Sequence, residues 1–252
     1  MPATALRPRS ATEIVDAAFQ LVRRHYAQYV VIAAIAFVPL LLLRLITPPT
    51  RQFIPALLSW VFQSLAAAAI IVAVSDAYLG RAIDVGAAYR RVFSCLGSVL
   101  LAALGQGLIV AVGFLLLIIP GFIFFAWAFA MPAAVVLEGR GAADSWTRSR
   151  ELSSGYVGKV LATLGLALLV YVFAIIALGA ALGIALGAGR AAAIATILEG
   201  LKIFLFPIVG AVATLLYYDL RIRKEGFDIE MMAGEIGVAP PRDTDLAPSA
   251  AP

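Results

Sequence analysis

Apolar positions along the chain collect into long unbroken runs, and the polar positions between them recur in a fixed kind of segment. Six runs have the length of a membrane span, at about 28–46, 54–75, 97–119, 121–138, 157–179 and 201–219. Each approaches the roughly 20 residues that a hydrocarbon core of about 30 Å requires. The stretch 179–200, "GAALGIALGAGRAAAIATILEG", fits three readings: an extension of span five, an extension of span six, or a helical or re-entrant connection. Between spans three and four only Pro120-Gly121 intervenes, so a tight reversal is expected there.

Three polar segments share a pattern. "SATEIVDAAFQLVRRHYAQYVVI" sets Ile14, Ala18, Leu21 and Val22 on one helical face and Glu13, Asp16, Gln20, Arg23 and Arg24 largely on the other. "DVGAAYRRVFSCLGSVLL" sets Tyr89, Val92, Phe93 and Leu96 together, away from Arg90 and Arg91, and "ADSWTRSRELSSGYVGKV" carries Trp146, Arg148, Arg150 and Lys159. In each, an aromatic (Phe19, Tyr89, Trp146) precedes arginines, then a small residue (Ala27, Gly97, Gly155), then an apolar run. The pattern predicts an all-α polytopic membrane protein: six spans in three hairpin units, each preceded by an interfacial amphipathic helix. Ser10-Ala11-Thr12-Glu13 predicts a capping box at the first helix. The domain division that follows is an N-terminal segment 1–27, a membrane domain 28–225 and a tail 226–252.

Composition agrees: 63% of residues are hydrophobic and 13% charged, with mean hydropathy +0.99, against about half and a quarter in a soluble domain. The tail "KEGFDIEMMAGEIGVAPPRDTDLAPSAAP" allows an interfacial turn near Phe227 and Ile229. Beyond about Gly237 it is too poor in apolar surface to fold. A secretory signal is not expected, because the first apolar run lies behind a long polar lead with no small-residue cleavage site.

Charge orients the bundle. Arg7, Arg9, Arg23 and Arg24 precede span one; Arg81, Arg90 and Arg91 lie between spans two and three. Arg140, Arg148, Arg150 and Lys159 lie between four and five; Arg221, Arg223, Lys224 and Arg242 follow span six. Arg44, Arg51, Arg190 and Lys202 fall on the other side. By the positive-inside rule both termini are expected to be cytoplasmic. Arg23, Arg24, Arg90, Arg91, Arg148 and Arg150 are candidate contacts for anionic lipid headgroups or for an interface, the alternative being plain surface elbows.

Asp76, Glu138 and Asp219 close the even-numbered spans, each followed shortly by an arginine (Arg81, Arg140, Arg221). Ion pairs at the membrane rim, with those arginines or with Arg148 and Arg150, are expected beside a substrate-contact reading. Glu199 and Lys202 share a helical face. They are surface residues if span six starts near Leu201, and an intramembrane pair if the helix is embedded from Ala191. Gly179, Gly183 and Gly187 form a small-residue stripe suited to packing within the monomer or between copies. Pro39, Pro132 and Pro207 are expected as static kinks.

One cysteine, Cys95, and one histidine, His25, leave no disulfide framework, no metal spacing and no catalytic triad. No catalytic residue, metal or cofactor is expected, and the pI near 9.4 reflects cations beside spans rather than a nucleic-acid surface.

"RPRSATEIVDAAFQLVRRH", "VVLEGRGAADSWTRSRELSSG" and "LLYYDLRIRKEGFD" resemble bacterial membrane proteins grouped with the membrane domain attached to some glycerophosphodiester phosphodiesterases. The matching positions are Glu138 with Gly139, Arg148 with Ser149, and Tyr218-Asp219-Leu220-Arg221. The resemblance implies a multi-span domain in a bacterial cytoplasmic membrane. It does not carry the phosphodiesterase activity, which needs a separate barrel with histidines and metal-binding carboxylates. Two functions follow as expectations: a non-enzymatic module binding anionic lipid, a protein partner or a second copy, and a transporter or lipid-handling carrier with its site between the repeats.

Overall fold

The structure, a computed structural model, describes residues 9–47 and 53–225. The tail and the Arg7, Arg51 and Arg242 positions lie outside the described residues. Helices α1 (Ala11–Arg24), α2 (Tyr26–Ile46), α3 (Phe53–Tyr78), α4 (Val85–Ser94) and α5 (Leu96–Leu116) come first. α6 (Ile118–Ala128), α7 (Met131–Glu138), α8 (Ala142–Ser153), α9 (Val157–Leu186) and α10 (Ala191–Glu225) follow, with a 3-10 turn at Ala188–Arg190. No strand occurs among the described residues. Six segments are long and apolar enough to cross a membrane, α6 and α7 together making one of them, so the chain is a polytopic helical membrane protein.

The three units are equivalent in backbone detail. Each short helix meets its hairpin at a single hinge residue: His25 (φ −122°, ψ 29°), Cys95 (φ −124°, ψ 27°) and Tyr156 (φ −122°, ψ 16°). Each hinge N–H donates to the carbonyl three residues back (Val22, Val92, Ser153). Each hinge carbonyl accepts from the N–H four residues on (Tyr29, Val99, Val160). Aligned on the hinges, the buried faces fall in one register: Ile14/Ala18/Val22, Ala88/Val92 and Ser145/Ser149/Ser153. Among the expected face residues, Phe93 is instead 56% exposed and Ala88 is buried. The α8 face is serine rather than apolar, a difference with a cause described below.

The first two short helices start as their caps dictate. Ser10 and Glu13 form the reciprocal capping box of α1. Asp84 caps α4 by accepting from the Ala87 N–H at 2.9 Å, which holds its carboxyl below the usual carboxylate range. In space each short helix rests on the hairpin before it: α4 on α2 and α3, α8 on α5, α6 and α7, and α1 on α9 and α10. The first helix therefore closes the ring on the last hairpin.

One expectation is corrected and two are resolved. The reversal between spans three and four falls at Leu117 (φ −170°, ψ 163°), not at Pro120-Gly121. Pro120 sits in the first turn of α6, where its missing N–H has no intrahelical partner to lose. Gly121 instead lets α5 and α6 touch, since a Cβ there would run into Phe114, and one at Gly113 would lie 2.6 Å from Phe124. Residues 179–200 are helix and turn: α9 runs 30 residues and α10 35, about 45 and 52 Å of rise, turning at Gly187, whose φ of 82° suits glycine. Of the glycine stripe only Gly179 approaches a neighbour, Leu198 of α10.

Span four is broken. Pro132 at the second position of α7 removes a donor and crowds the carbonyl four residues back, and the helix opens at Phe129-Ala130. Pro39 and Pro207 stay inside continuous helices.

Candidate functional site

The break in span four exposes backbone groups that lipid cannot satisfy. Ser149 of α8 answers two of them: its hydroxyl donates to the Trp127 carbonyl and accepts the Ala130 N–H at 3.0 Å. Gln106 of α5 donates to the Ala128 carbonyl at 3.1 Å. Ser145, Ser149 and Ser153 are 0% exposed, so α8 is seated by small polar side chains that let it approach the opened backbone. That is why its buried face is not apolar.

Around this seat the rim acids form two clasps. Glu138, ending α7, accepts from Arg148 Nε at 2.9 Å to both oxygens, from Arg140 Nε at 2.8 Å, and from the Tyr217 hydroxyl. Arg148 also pairs with Glu225, which Arg221 reaches at 2.9 Å. Asp219, 3% exposed, accepts from the Arg9 N–H at 2.6 Å, from Arg223 Nε at 2.8 Å and from Lys159. Lys159 and Arg223 close on the Arg9 carbonyl at 2.6 and 2.9 Å. Glu138 thus ties the second unit to the third, and Asp219 ties the entry of α1 to the third. Asp76 is simpler, pairing with Arg81 at 2.9 Å, while neighbouring Ser75 shares a 2.6 Å hydrogen bond with Tyr218.

Asp219 does not meet Arg221, the expected partner. Two residues along a helix point to different sides, whereas Arg223 at the fourth position shares its face. Arg221 turns to Glu225 and stands 3.9 Å from Glu138.

The six candidate arginines divide. Arg148 is held inside the clasp, and Arg91 donates to the Val136 carbonyl at 3.1 Å. Arg150 lies over the Trp127 ring at 4.9 Å. Arg23 and Arg24 are exposed in the last turn of α1. Arg90 is exposed and stands 3.6 Å from Asp84.

Glu199 meets Lys202 at 2.9 Å and Arg44 of α2 at 2.7 Å. It lies 20 residues before Asp219 on one helix, about 30 Å of rise and so about one hydrocarbon thickness away. The trio's side chains are 28–41% exposed, and Glu199 and Lys202 fall inside Ala193–Glu225, a segment long and apolar enough to cross a membrane.

Sequence reasoning did not single out Lys159, Tyr217 or the Arg9 backbone as partners of these acids, Glu225 as a partner of Arg148, or Gln106 as a partner of the Ala128 carbonyl. Their proximity comes from packing between units, and only the adjacency of Tyr217 and Tyr218 to Asp219 hinted at it. Among the described residues no group of three or more His, Cys, Asp or Glu could hold a metal.

Fold and site together define a polytopic helical membrane protein built on a three-unit ring with charged clasps at one end. No family model, no curated protein and no solved structure matches the chain.

Proposed function

We propose that the chain is a non-enzymatic module of a bacterial cytoplasmic membrane whose α1, α4 and α8 face lies on the cytoplasmic leaflet and binds anionic lipid. The observation that carries this reading is a division of labour among charges. Every rim acid is engaged by cations in a clasp or a local pair, while Arg23, Arg24, Arg90 and Arg150 present exposed heads on the helices at the same end of the bundle. Each near-surface cation is worth about 1 kcal/mol toward an anionic leaflet. The resemblance to the membrane domain of some glycerophosphodiester phosphodiesterases supports a module of this kind, as does the positive-inside pattern.

A test compares the wild type with a variant carrying Arg23→Gln, Arg24→Gln and Arg150→Gln, both extracted gently from the same membrane and examined by native mass spectrometry. Retained anionic phospholipid falls several-fold in the variant on this reading. Equal retention would reject it, and a stoichiometric protein partner with no lipid would replace it.

The second reading, a lipid-handling carrier, is favoured by the broken span, because transporters build their sites from discontinuous helices. Here Ser149 and Gln106 fill the break. A Ser149→Gly variant that scrambled labelled phospholipid in proteoliposomes, against an inactive wild type, would favour the carrier.

A further inference from the structure

We propose that the first hairpin and the α4 that rests on it hold one phospholipid, its acyl chain in a groove between α2, α3 and α4 and its phosphate on Arg90. The inference deepens the lipid-binding reading and rests on it, but it names one site that the reading does not require.

The groove measures about 310 Å³ and is lined by Ile35 and Ala36 of α2, Phe62 and Leu65 of α3, and Gly86 and Tyr89 of α4. Its wall is apolar because the one polar group there is already engaged: the Tyr89 hydroxyl donates to the Ile32 carbonyl at 2.7 Å. Burial pushes this phenol up to about 12, so it keeps its proton and its bond. Ile35 is 49% exposed and Phe93, at the α4 edge, 56%, so the groove opens sideways, toward lipid tails.

The mouth carries the charge. A Cβ at Gly86 would stand 3.2 Å from Arg90 Nη1 and 3.3 Å from Asp84 Oδ1, so the guanidinium folds directly over the glycine that opens the groove. Arg90, paired with Asp84 at 3.6 Å, stands above an apolar slot, an arrangement that matches a phosphate above the start of an acyl chain.

The other units lack these features in the same register. Gly86 corresponds to Asp16 and Thr147, which would crowd the mouth. Ala36 corresponds to Gln106, whose amide crosses to Ala128, and to Ala167, so the third hairpin keeps the small residue and differs at the Asp16 that faces it. α4 is 10 residues long where α1 has 14 and α8 has 12, and this shorter helix covers less of its hairpin.

The test uses the full chain in nanodiscs of phosphatidylethanolamine and phosphatidylglycerol containing a phosphatidylglycerol with a mid-chain diazirine. After irradiation, adducts are mapped by peptide mass spectrometry. The proposal expects yields at Phe62, Leu65 and Phe93 several-fold above those at Leu104 and Phe173, which face lipid elsewhere. It also expects several-fold losses in Gly86→Leu, which fills the mouth with a good helix former, and in Arg90→Gln. Equal yields at Leu104 and Phe173, or no response to Gly86→Leu, would overturn it. A groove shielded by the segment after Glu225 or by a second copy would give no adduct at Phe62, and that result would overturn it too. The two lipid readings separate cleanly. Uniform adducts with lipid retention still dependent on Arg23, Arg24 and Arg150 reject the slot alone. Groove adducts with retention independent of those arginines reject the wider basic face alone.

Discussion

Helices α4 and α8 occupy equivalent places, each leading through one hinge into a hairpin and each resting on the hairpin before it, yet different forces seat them. α4 lies on apolar contacts through Ala88 and Val92, with one phenol bond to the Ile32 carbonyl and one Arg91 bond to the Val136 carbonyl. α8 lies on hydrogen bonds and ion pairs: Ser149 joins the opened backbone of span four, and Arg148 joins Glu138 and Glu225. The cause sits in the neighbour rather than in the short helix. Pro132 breaks the hairpin beneath α8 and leaves polar groups that only polar side chains can satisfy, whereas the hairpin beneath α4 is continuous and asks for none.

The contrast breaks hardest at the α8 clasp. Glu138→Ala would take from Arg148 one of its two carboxylates, leaving Glu225, and from the buried Tyr217 hydroxyl its acceptor, several bonds lost together where each orphaned group costs about 1–3 kcal/mol. Thermal unfolding in detergent should record a large loss, and Glu138→Gln should recover part of it through the retained hydrogen bonds. A Glu138→Ala protein as stable as wild type would mean that the clasp is ornamental. Next in size is Ser149→Ala, which orphans the Ala130 N–H and the Trp127 carbonyl. It should cost about 1–3 kcal/mol and raise hydrogen exchange at Ala130. On the α4 side, Tyr89→Phe should cost only about 0.5–1.5 kcal/mol, since the helix bond to the Ile32 carbonyl survives. Smallest is Arg90→Gln, expected to change stability by less than about 0.5 kcal/mol while lowering lipid retention. A stability loss at Arg90 rivalling that at Glu138 would erase the distinction between the two seats.

Much of this was legible in the chain. Apolar runs place six spans, and Ser10 with Glu13 predicts the start of α1. The recurring order of aromatic, arginine and small residue locates three units whose hinges then match in dihedral angle. What could not be read lies in contacts between units. Nothing near Asp219 in sequence points to Lys159, 60 residues away. Nothing around Ser149 announces that its hydroxyl will bridge a break 20 residues upstream. The serines of α8 carry no signal of their own, because a polar residue matched to an opened backbone has the same signature as one facing water. Pro120-Gly121 misled for the opposite reason: a proline in the first turn of a helix starts it as readily as a proline elsewhere ends one.

The proposed function requires that α1, α4 and α8 share one side of the membrane, facing the cytoplasm, as a closed ring. Single cysteines at Gln20, Ser94 and Glu151, all exposed, and a control at Arg190 in the far turn test it in a Cys95→Ser background. An impermeant maleimide is applied to right-side-out and to inverted vesicles. The account predicts that all three ring positions react only in inverted vesicles and that Arg190→Cys reacts only in right-side-out ones. One ring position reacting on the opposite side from the other two, or all three facing outward, would contradict it.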